Sequence, residues 1–194
     1  MKRVLLTSVL VAVCCGLSAS AQNVNFVFPA KAVLPQTGEQ VKNPVSTGLR
    51  SMLPRTRTNT LGAIEAMPAD KFNYKPTPEQ MSFAHLVLHI TGFNNGLCAK
   101  VADVPAPKVE ELKETDSKEK LLAAATASFD FCNEALDKMD DAKLGDSIEL
   151  FGGHQGPRAM AALILASGWA DHYSTAAMYL RLNGILPPSA QKKK

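Results

Sequence analysis

The stretch that decides the fold is ALILASGWADHYSTAAMYLRLNGILPP, residues 162–188. The inward stripe begins two residues earlier and follows the helical period, with Met160, Ile164, Gly168, His172, Ala176 and Tyr179. His172 is therefore predicted to point into the protein interior. Asn183 and Gly184 suit a left-handed helix end, and two prolines then prevent the helix from resuming. The stretch predicts one long helix.

Three further helices are predicted upstream of this one. The first runs over 44–67, and the second opens at Thr77 or Pro78 with Thr77 as its N-cap. The third is capped by Ser117 and has the clearest period, with Leu122, Ala125, Phe129, Cys132, Leu136 and Met139 facing inward. Because 46% of the chain is hydrophobic and only 6% is aromatic, helices are favoured over sheets. We predict an all-α four-helix bundle over residues 44–189.

The first 21 residues are predicted to be a secretory signal peptide. Lys2 and Arg3 precede an apolar run over 4–16, and Ala19-Ser20-Ala21 is a small-x-small cleavage site. A retained membrane anchor is the alternative, but the run is shorter than the roughly 20 residues that span a bilayer. The mature protein is therefore expected to be exported, to the periplasm or the medium.

An arm or linker is predicted over 22–43 and a basic tail over 190–194.

The charge balance of the mature chain excludes one class of partner. Without the leader, 19 Lys and Arg face 18 Asp and Glu, and no basic stripe carries interleaved aromatic residues. We expect no nucleic-acid partner and, after signal cleavage, no membrane partner.

Two cysteines remain after signal cleavage, Cys98 and Cys132. In an oxidising compartment they can form one disulfide between the second and third helices. They can equally be two small buried side chains, because free cysteine packs well in cores. The sequence leaves both alternatives open.

Four histidines lie in the mature chain: His85, His89, His154 and His172. His85 and His89 are four residues apart, a spacing that lets two imidazoles share one metal ion. His172 is placed to complete a set of three ligands, which leaves a fourth position open to water or substrate. The alternative is that an inward histidine is a core residue hydrogen-bonded to the backbone.

A resemblance bears on these histidines. MSFAHLVLHITGFNNGLC (81–98), followed by ADHYSTAAMYLRLNGILPPS (170–189), resembles the DinB-like superfamily of metal-binding four-helix bundles, as does the linking phrase over 66–83. The resemblance implies an up-down-down-up arrangement and a divalent ion, often zinc or nickel, held by three histidines. His89 matches the ligand of the second helix, and His172 matches the later of two ligands in the fourth. The earlier one falls at Gly168, so the implied site is incomplete.

Three outcomes are open for this site. His85 can substitute for the missing ligand, His154 can fold in from its loop, or the metal site is lost and His89 and His172 remain in a polar pocket. Two imidazoles alone bind a divalent ion weakly.

The resemblance implies a metal-dependent transferase or hydrolase that acts on an unknown small molecule. Export argues against this in part, since low-molecular-weight thiol cosubstrates are mainly cytoplasmic, and the sequence offers no general base beyond Asp171 or Glu149. The alternative is a non-enzymatic bundle that binds a small ligand or a partner. A homodimer is compatible with such a bundle, and no stripe in the sequence decides it.

Overall fold

The computed structural model describes residues 40–191, which form four long helices: α1 (Pro44–Ala66), α2 (Phe83–Ala102), α3 (Lys118–Asp137) and α4 (Arg158–Leu182). The predicted all-α four-helix bundle is confirmed. The predicted signal peptide, residues 22–39 of the predicted arm and residues 192–194 of the predicted tail lie outside the described residues. Among residues 40–191, no helix has the length and apolarity needed to cross a membrane.

Contacts between helix ends establish the topology. Lys118 Nζ at the start of α3 donates to the carbonyl of Met67 just after α1 (2.8 Å), so these two helices are antiparallel. The Tyr179 hydroxyl near the end of α4 donates to the carbonyl of Met81 before α2 (2.7 Å), which makes that pair antiparallel too. The N-cap serine of α2 bonds to Glu114, just before α3, so α2 and α3 run parallel. The arrangement is the expected up-down-down-up bundle.

The core follows the predicted periods, with one error in α4. In α3 and just after it, the predicted inward residues from Ala125 to Met139 are buried, and Leu122 is partly buried. In α4, however, Met160 is 43% exposed, whereas His172 is buried. A stripe of strict four-residue steps rotates by about 40° per step around a helix of 3.6 residues per turn. Met160, three steps from His172, has therefore drifted to the solvent side.

The start of α2 differs from the prediction. Thr77 and Pro78 lie in a turn, and Ser82 is the N-cap, its hydroxyl accepting from the His85 backbone N–H (3.0 Å). The chain before Ser82 does not join the helix, because it packs against the helix start. The Ala84 N–H donates to the carbonyl of Phe72 (2.8 Å), and the Phe72 ring packs edge-on against the ring of Phe83. The tertiary contact overrides a good local capping sequence.

The connection between α3 and α4 contains a small hairpin that the sequence did not predict. Its antiparallel strands are β1 (Ser147–Glu149) and β2 (Gln155–Pro157), with Ile148 opposite Gly156. Gly152 and Gly153 at its tip have φ of 64° and 78°, which glycine adopts without steric cost. Gly184, at φ 73°, ends α4 as predicted.

Of the two alternatives for the cysteines, the structure has the disulfide. Cys98 of α2 and Cys132 of α3 are bonded, with their Cα atoms 5.2 Å apart, and both residues are fully buried. The bond crosslinks the two parallel helices in the C-terminal half of each.

Candidate functional site

Two of the four histidines meet between α2 and α4. The rings of His89 and His172 are 4.9 Å apart between centroids and nearly perpendicular. His172 is buried, while His89 is exposed. Their pairing is what the inward position of His172 and its match to the superfamily led us to expect. The pair therefore forms a polar site at the surface of the seam between the two helices.

Phe93 completes this site, and sequence reasoning had placed it only among the apolar residues of α2. Its ring lies edge-on to His172, with centroids 4.5 Å apart, and 6.3 Å from the ring of His89. Phe93 is one helical turn beyond His89, so α2 presents both side chains to the same part of α4. The spacing was visible in the sequence, but the partner that Phe93 covers was not.

The residue that the Phe93 ring covers is Gly168, the position at which the third histidine ligand implied by the superfamily is missing. A Cβ atom added to Gly168 would lie 2.8 and 2.9 Å from the Cε1 and Cε2 atoms of Phe93. Such distances are well inside van der Waals contact. The aromatic ring thus occupies the space that a side chain at position 168 would need, one turn before His172.

His85 does not join the pair. Its Nδ1 is 2.7 Å from Glu114 Oε1, in the segment that precedes α3, and its side chain is half exposed. Ser82 donates to the other oxygen of the same carboxylate. These two hydrogen bonds, first that of Ser82 and then that of His85, lower the pKa of Glu114. His85 is therefore held in a structural contact between the start of α2 and the loop before α3.

His154 is also separate from the pair. It lies exposed after the hairpin tip, where its backbone carbonyl accepts from the Leu150 N–H (2.7 Å). Over residues 40–191, no group of three or more His, Cys, Asp or Glu side chains is placed to hold a metal ion. Neither His85 nor His154 replaces the ligand missing at Gly168.

The environment of His172 keeps its ring neutral. Burial, assisted by the nearby His89, lowers the pKa of His172 to about 4, against the opposing effect of Asp171. Its Nδ1 is buried and has no hydrogen-bond partner among the described residues. A neutral imidazole can act as a ligand or a hydrogen-bonding group, but one such ring beside His89 supplies two nitrogens rather than three. The residues present do not fit a divalent ion held by three histidines.

A buried polar network supports the site from behind. The indole N–H of Trp169, the neighbour of Gly168, donates to Asn94 Oδ1 (3.0 Å), and Asn94 Nδ2 donates to the Ser128 hydroxyl (3.1 Å). All three residues are buried. Because Asn94 follows Phe93, this network fixes the register of α2 against α4 at the level of the histidine pair.

The fold and the site together define a four-helix bundle with a histidine pair between its second and fourth helices. The family model of the DinB superfamily matches residues 52–174, and the chain belongs to that superfamily. No curated protein matches it.

Two solved structures share the fold. A DinB-like protein from Bacillus subtilis has a TM-score of 0.60 and 21% identity, covering 75% of this chain and 99% of the other. A DinB-like protein from Bacillus cereus has a TM-score of 0.59 and 15% identity, covering 73% and 94% of the two chains. The bundle of this chain therefore corresponds to nearly the whole of both proteins.

Proposed function

We propose that this chain is an exported, non-enzymatic member of the DinB superfamily. It binds a small ligand or partner without a divalent ion held by three histidines. The observation that carries the proposal is the ring of Phe93 against Gly168. Gly168 supplies no third ligand, and the Phe93 ring fills the space that a ligand at this position would need. The fold of the family is kept.

The histidine pair remains available for binding. His89 is exposed and His172 is neutral at physiological pH, with a buried nitrogen that no described residue satisfies. Buried polar atoms normally have a partner, so an unsatisfied one marks a place where water or a ligand group would be favoured. The aromatic edge of Phe93 adds apolar surface beside it. These features suit an uncharged molecule with an apolar body and a hydrogen-bonding group.

Export is supported by two independent features. The sequence begins with a leader pattern, and the core contains the Cys98–Cys132 disulfide. Structural disulfides persist mainly in oxidising compartments, whereas low-molecular-weight thiols are concentrated in the cytoplasm. An exported chain would thus meet little of the thiol cosubstrate of a transferase.

The second candidate is a zinc- or nickel-dependent transferase or hydrolase built on two histidines. The 4.9 Å separation of the His89 and His172 rings favours it, since two neighbouring imidazoles can share one ion. Water would have to supply the remaining positions, and such a site is expected to bind weakly.

Metal content separates the two candidates. We would purify the processed protein without a His tag, measure its metals by elemental mass spectrometry and titrate it with zinc and nickel by calorimetry. We expect substoichiometric metal and no tight binding. Close to one equivalent, lost in both His89→Ala and His172→Ala, would refute the proposal and establish the second candidate.

A repaired site provides the positive control. The double variant Gly168→His/Phe93→Ala restores the missing imidazole and clears the ring that blocks it. We expect zinc affinity to rise at least about 100-fold over the wild type, while Gly168→His alone should gain little. If the single variant binds as tightly as the double variant, the blocking role of Phe93 is wrong.

A further inference from the structure

A groove of about 550 Å³ lies where the second half of α2 meets the hairpin and the start of α4. Most of its lining is apolar, from Gly96, Ala99, Val104, Pro105, Ala106 and Ile148. Its volume is within the range of about 300–1,000 Å³ that small-molecule sites occupy. Gly96 follows His89 by seven residues, or about 10 Å along α2. The groove is therefore separate from the histidine pair.

Small residues of α2 form the open part of this groove. A Cβ atom added to Gly96 would have no atom within 4 Å, so there is space beside the helix at this position. Ala99, three residues further on, contributes only a methyl group and is itself buried. The two residues thus leave room for an apolar group of a ligand against α2.

Lys100 places a positive charge at the groove. Its Nζ donates to the backbone carbonyl of Glu149 (2.6 Å), a contact that ties α2 to β1 and holds the ammonium group in position. An ammonium group has three N–H donors, so two remain. Among residues 40–191, Lys100 makes no ion pair with a carboxylate. The charge of Lys100 is therefore available to a ligand.

Arg158 adds a buried donor to the lining of the same groove. Its side chain is 6% exposed, and its Nε has no hydrogen-bond partner among the described residues. The Asp103 carboxylate is already engaged, because Oδ1 accepts from Arg158 (3.0 Å) and Oδ2 accepts from Lys143 (2.7 Å). Buried polar atoms normally have a partner. This end of the groove therefore has unused hydrogen-bond donors.

Unused donors beside an apolar surface suit a ligand with a charged acceptor on a short apolar chain. From Gly96 to Lys100 the helix rises about 6 Å, which matches a chain of about five carbon atoms. We propose that this groove binds a monocarboxylate with a short aliphatic chain. The carboxylate pairs with Lys100, and the chain lies over Gly96 and Ala99.

Titration with hexanoate, followed by nuclear magnetic resonance of the ¹⁵N-labelled processed chain at constant ionic strength, tests the proposal. We expect saturable shifts of the backbone amides of residues 96–106 and 147–149. Pentylamine has the same aliphatic chain with the opposite charge, and it should bind at least about tenfold more weakly. Equal binding of the two molecules, or shifts that do not saturate, would overturn the proposal.

Two glycines of α2 provide a matched pair of variants. A Cβ atom added to Gly92 or to Gly96 would have no atom within 4 Å, but only Gly96 lines the groove. Gly96→Leu should therefore weaken hexanoate binding at least about tenfold by filling the groove, while Gly92→Leu should leave it unchanged. Unchanged binding in Gly96→Leu would place the ligand elsewhere and refute the site.

Charge variants test the role of Lys100. Lys100→Met should weaken hexanoate binding at least about tenfold, whereas Lys100→Arg keeps the charge and should retain most of the affinity. Lys138→Met, at the exposed end of α3, is the control for removal of one positive charge. Glu149→Gln removes a carboxylate of the lining that makes no ion pair among the described residues, so it should tighten binding. Equal losses in Lys100→Met and Lys138→Met would contradict the pairing with Lys100.

Discussion

The ring of Phe93 lies against the backbone of Gly168, where α4 would otherwise carry a side chain one turn before His172. Position 168 is the one at which the superfamily's implied third ligand is missing. The absence of a side chain on α4 and the presence of a ring on α2 are therefore two halves of one packing arrangement. From this contact we expect that no single substitution on either helix restores a third ligand.

Gly168→Ala should destabilise the protein by about 1–3 kcal/mol, because the new methyl group would overlap the ring of Phe93. Urea unfolding followed by circular dichroism measures the effect. Phe93→Leu, which removes the overlapping ring atoms, should recover much of the loss in the double variant.

Gly92 offers the matched control for that substitution. It also lies inside a helix, and an added Cβ there would have no atom within 4 Å. Gly92→Ala should raise the free energy of unfolding by about 0.5–1 kcal/mol, since glycine is costly in a helix. Equal effects of the two alanines would contradict the contact at Gly168.

The buried state of His172 should make the protein less stable in mild acid. The unfolded chain binds a proton at this residue near pH 6.5, but the folded chain does so only near pH 4. The unfolded state therefore binds more protons in this interval, and the free energy of unfolding falls as the pH decreases through it, by about 2–3 kcal/mol in total. Urea unfolding at several pH values between 4 and 7 measures the slope.

His172→Gln isolates this contribution, because glutamine does not titrate. The difference between the wild type and the variant should change with pH only between about 4 and 6.5. Parallel stability curves for the two proteins would show that the ring is not kept neutral by burial.

Removal of the disulfide should lower the free energy of unfolding by about 3–4 kcal/mol, as expected for a crosslink that closes a loop of 34 residues. The pair Cys98→Ala/Cys132→Ala avoids leaving buried thiols. Because both residues are fully buried, reductant should not open the bond in the folded wild type, but should do so in urea. Rapid reduction without denaturant, seen by mass spectrometry after alkylation, would contradict this burial.

Arg158 should be the most important ionic residue of the bundle. Its side chain is 6% exposed, and its guanidinium bonds to Asp103 Oδ1 (3.0 Å) and to the carbonyl of Lys100. It thereby ties the start of α4 to the end of α2. Hydrogen bonding from Lys143 and the charge of Arg158 lower the pKa of Asp103, as the pairing requires. Arg158→Ala should destabilise the fold by about 1.5–3 kcal/mol, the range for hydrogen bonds made by a charged group, while the half-exposed Asp103 keeps its contact with Lys143.

Arg57 provides the comparison for Arg158. It makes an ion pair with Asp130 at 2.9 Å, but both side chains are about half exposed. Arg57→Ala should cost less than about 1 kcal/mol, since water screens exposed pairs. A similar loss in both variants, measured by chemical denaturation, would mean that burial does not control these pairs.

Local features were predictable from the sequence because they depend on neighbouring residues. Ser117 caps α3, with its hydroxyl accepting from the backbone N–H of Lys120, and Gly184 ends α4 in the left-handed region. The period of the apolar residues defined the inward face of α3, but in α4 it also placed Met160 inward, where the structure leaves it exposed. Ser82 shows the limit of such signals, since a tertiary contact moved the start of α2.

By itself, the sequence determined four helices, their order, and the match of His89 and His172 to one family, because helical period and capping act over a few residues. Only the tertiary structure decided what the site became. It placed Phe93 on Gly168, and it engaged His85 with Glu114, 29 residues away. Such contacts depend on the register of one helix against another, which is set by the packing of the whole core and is not encoded at any single position.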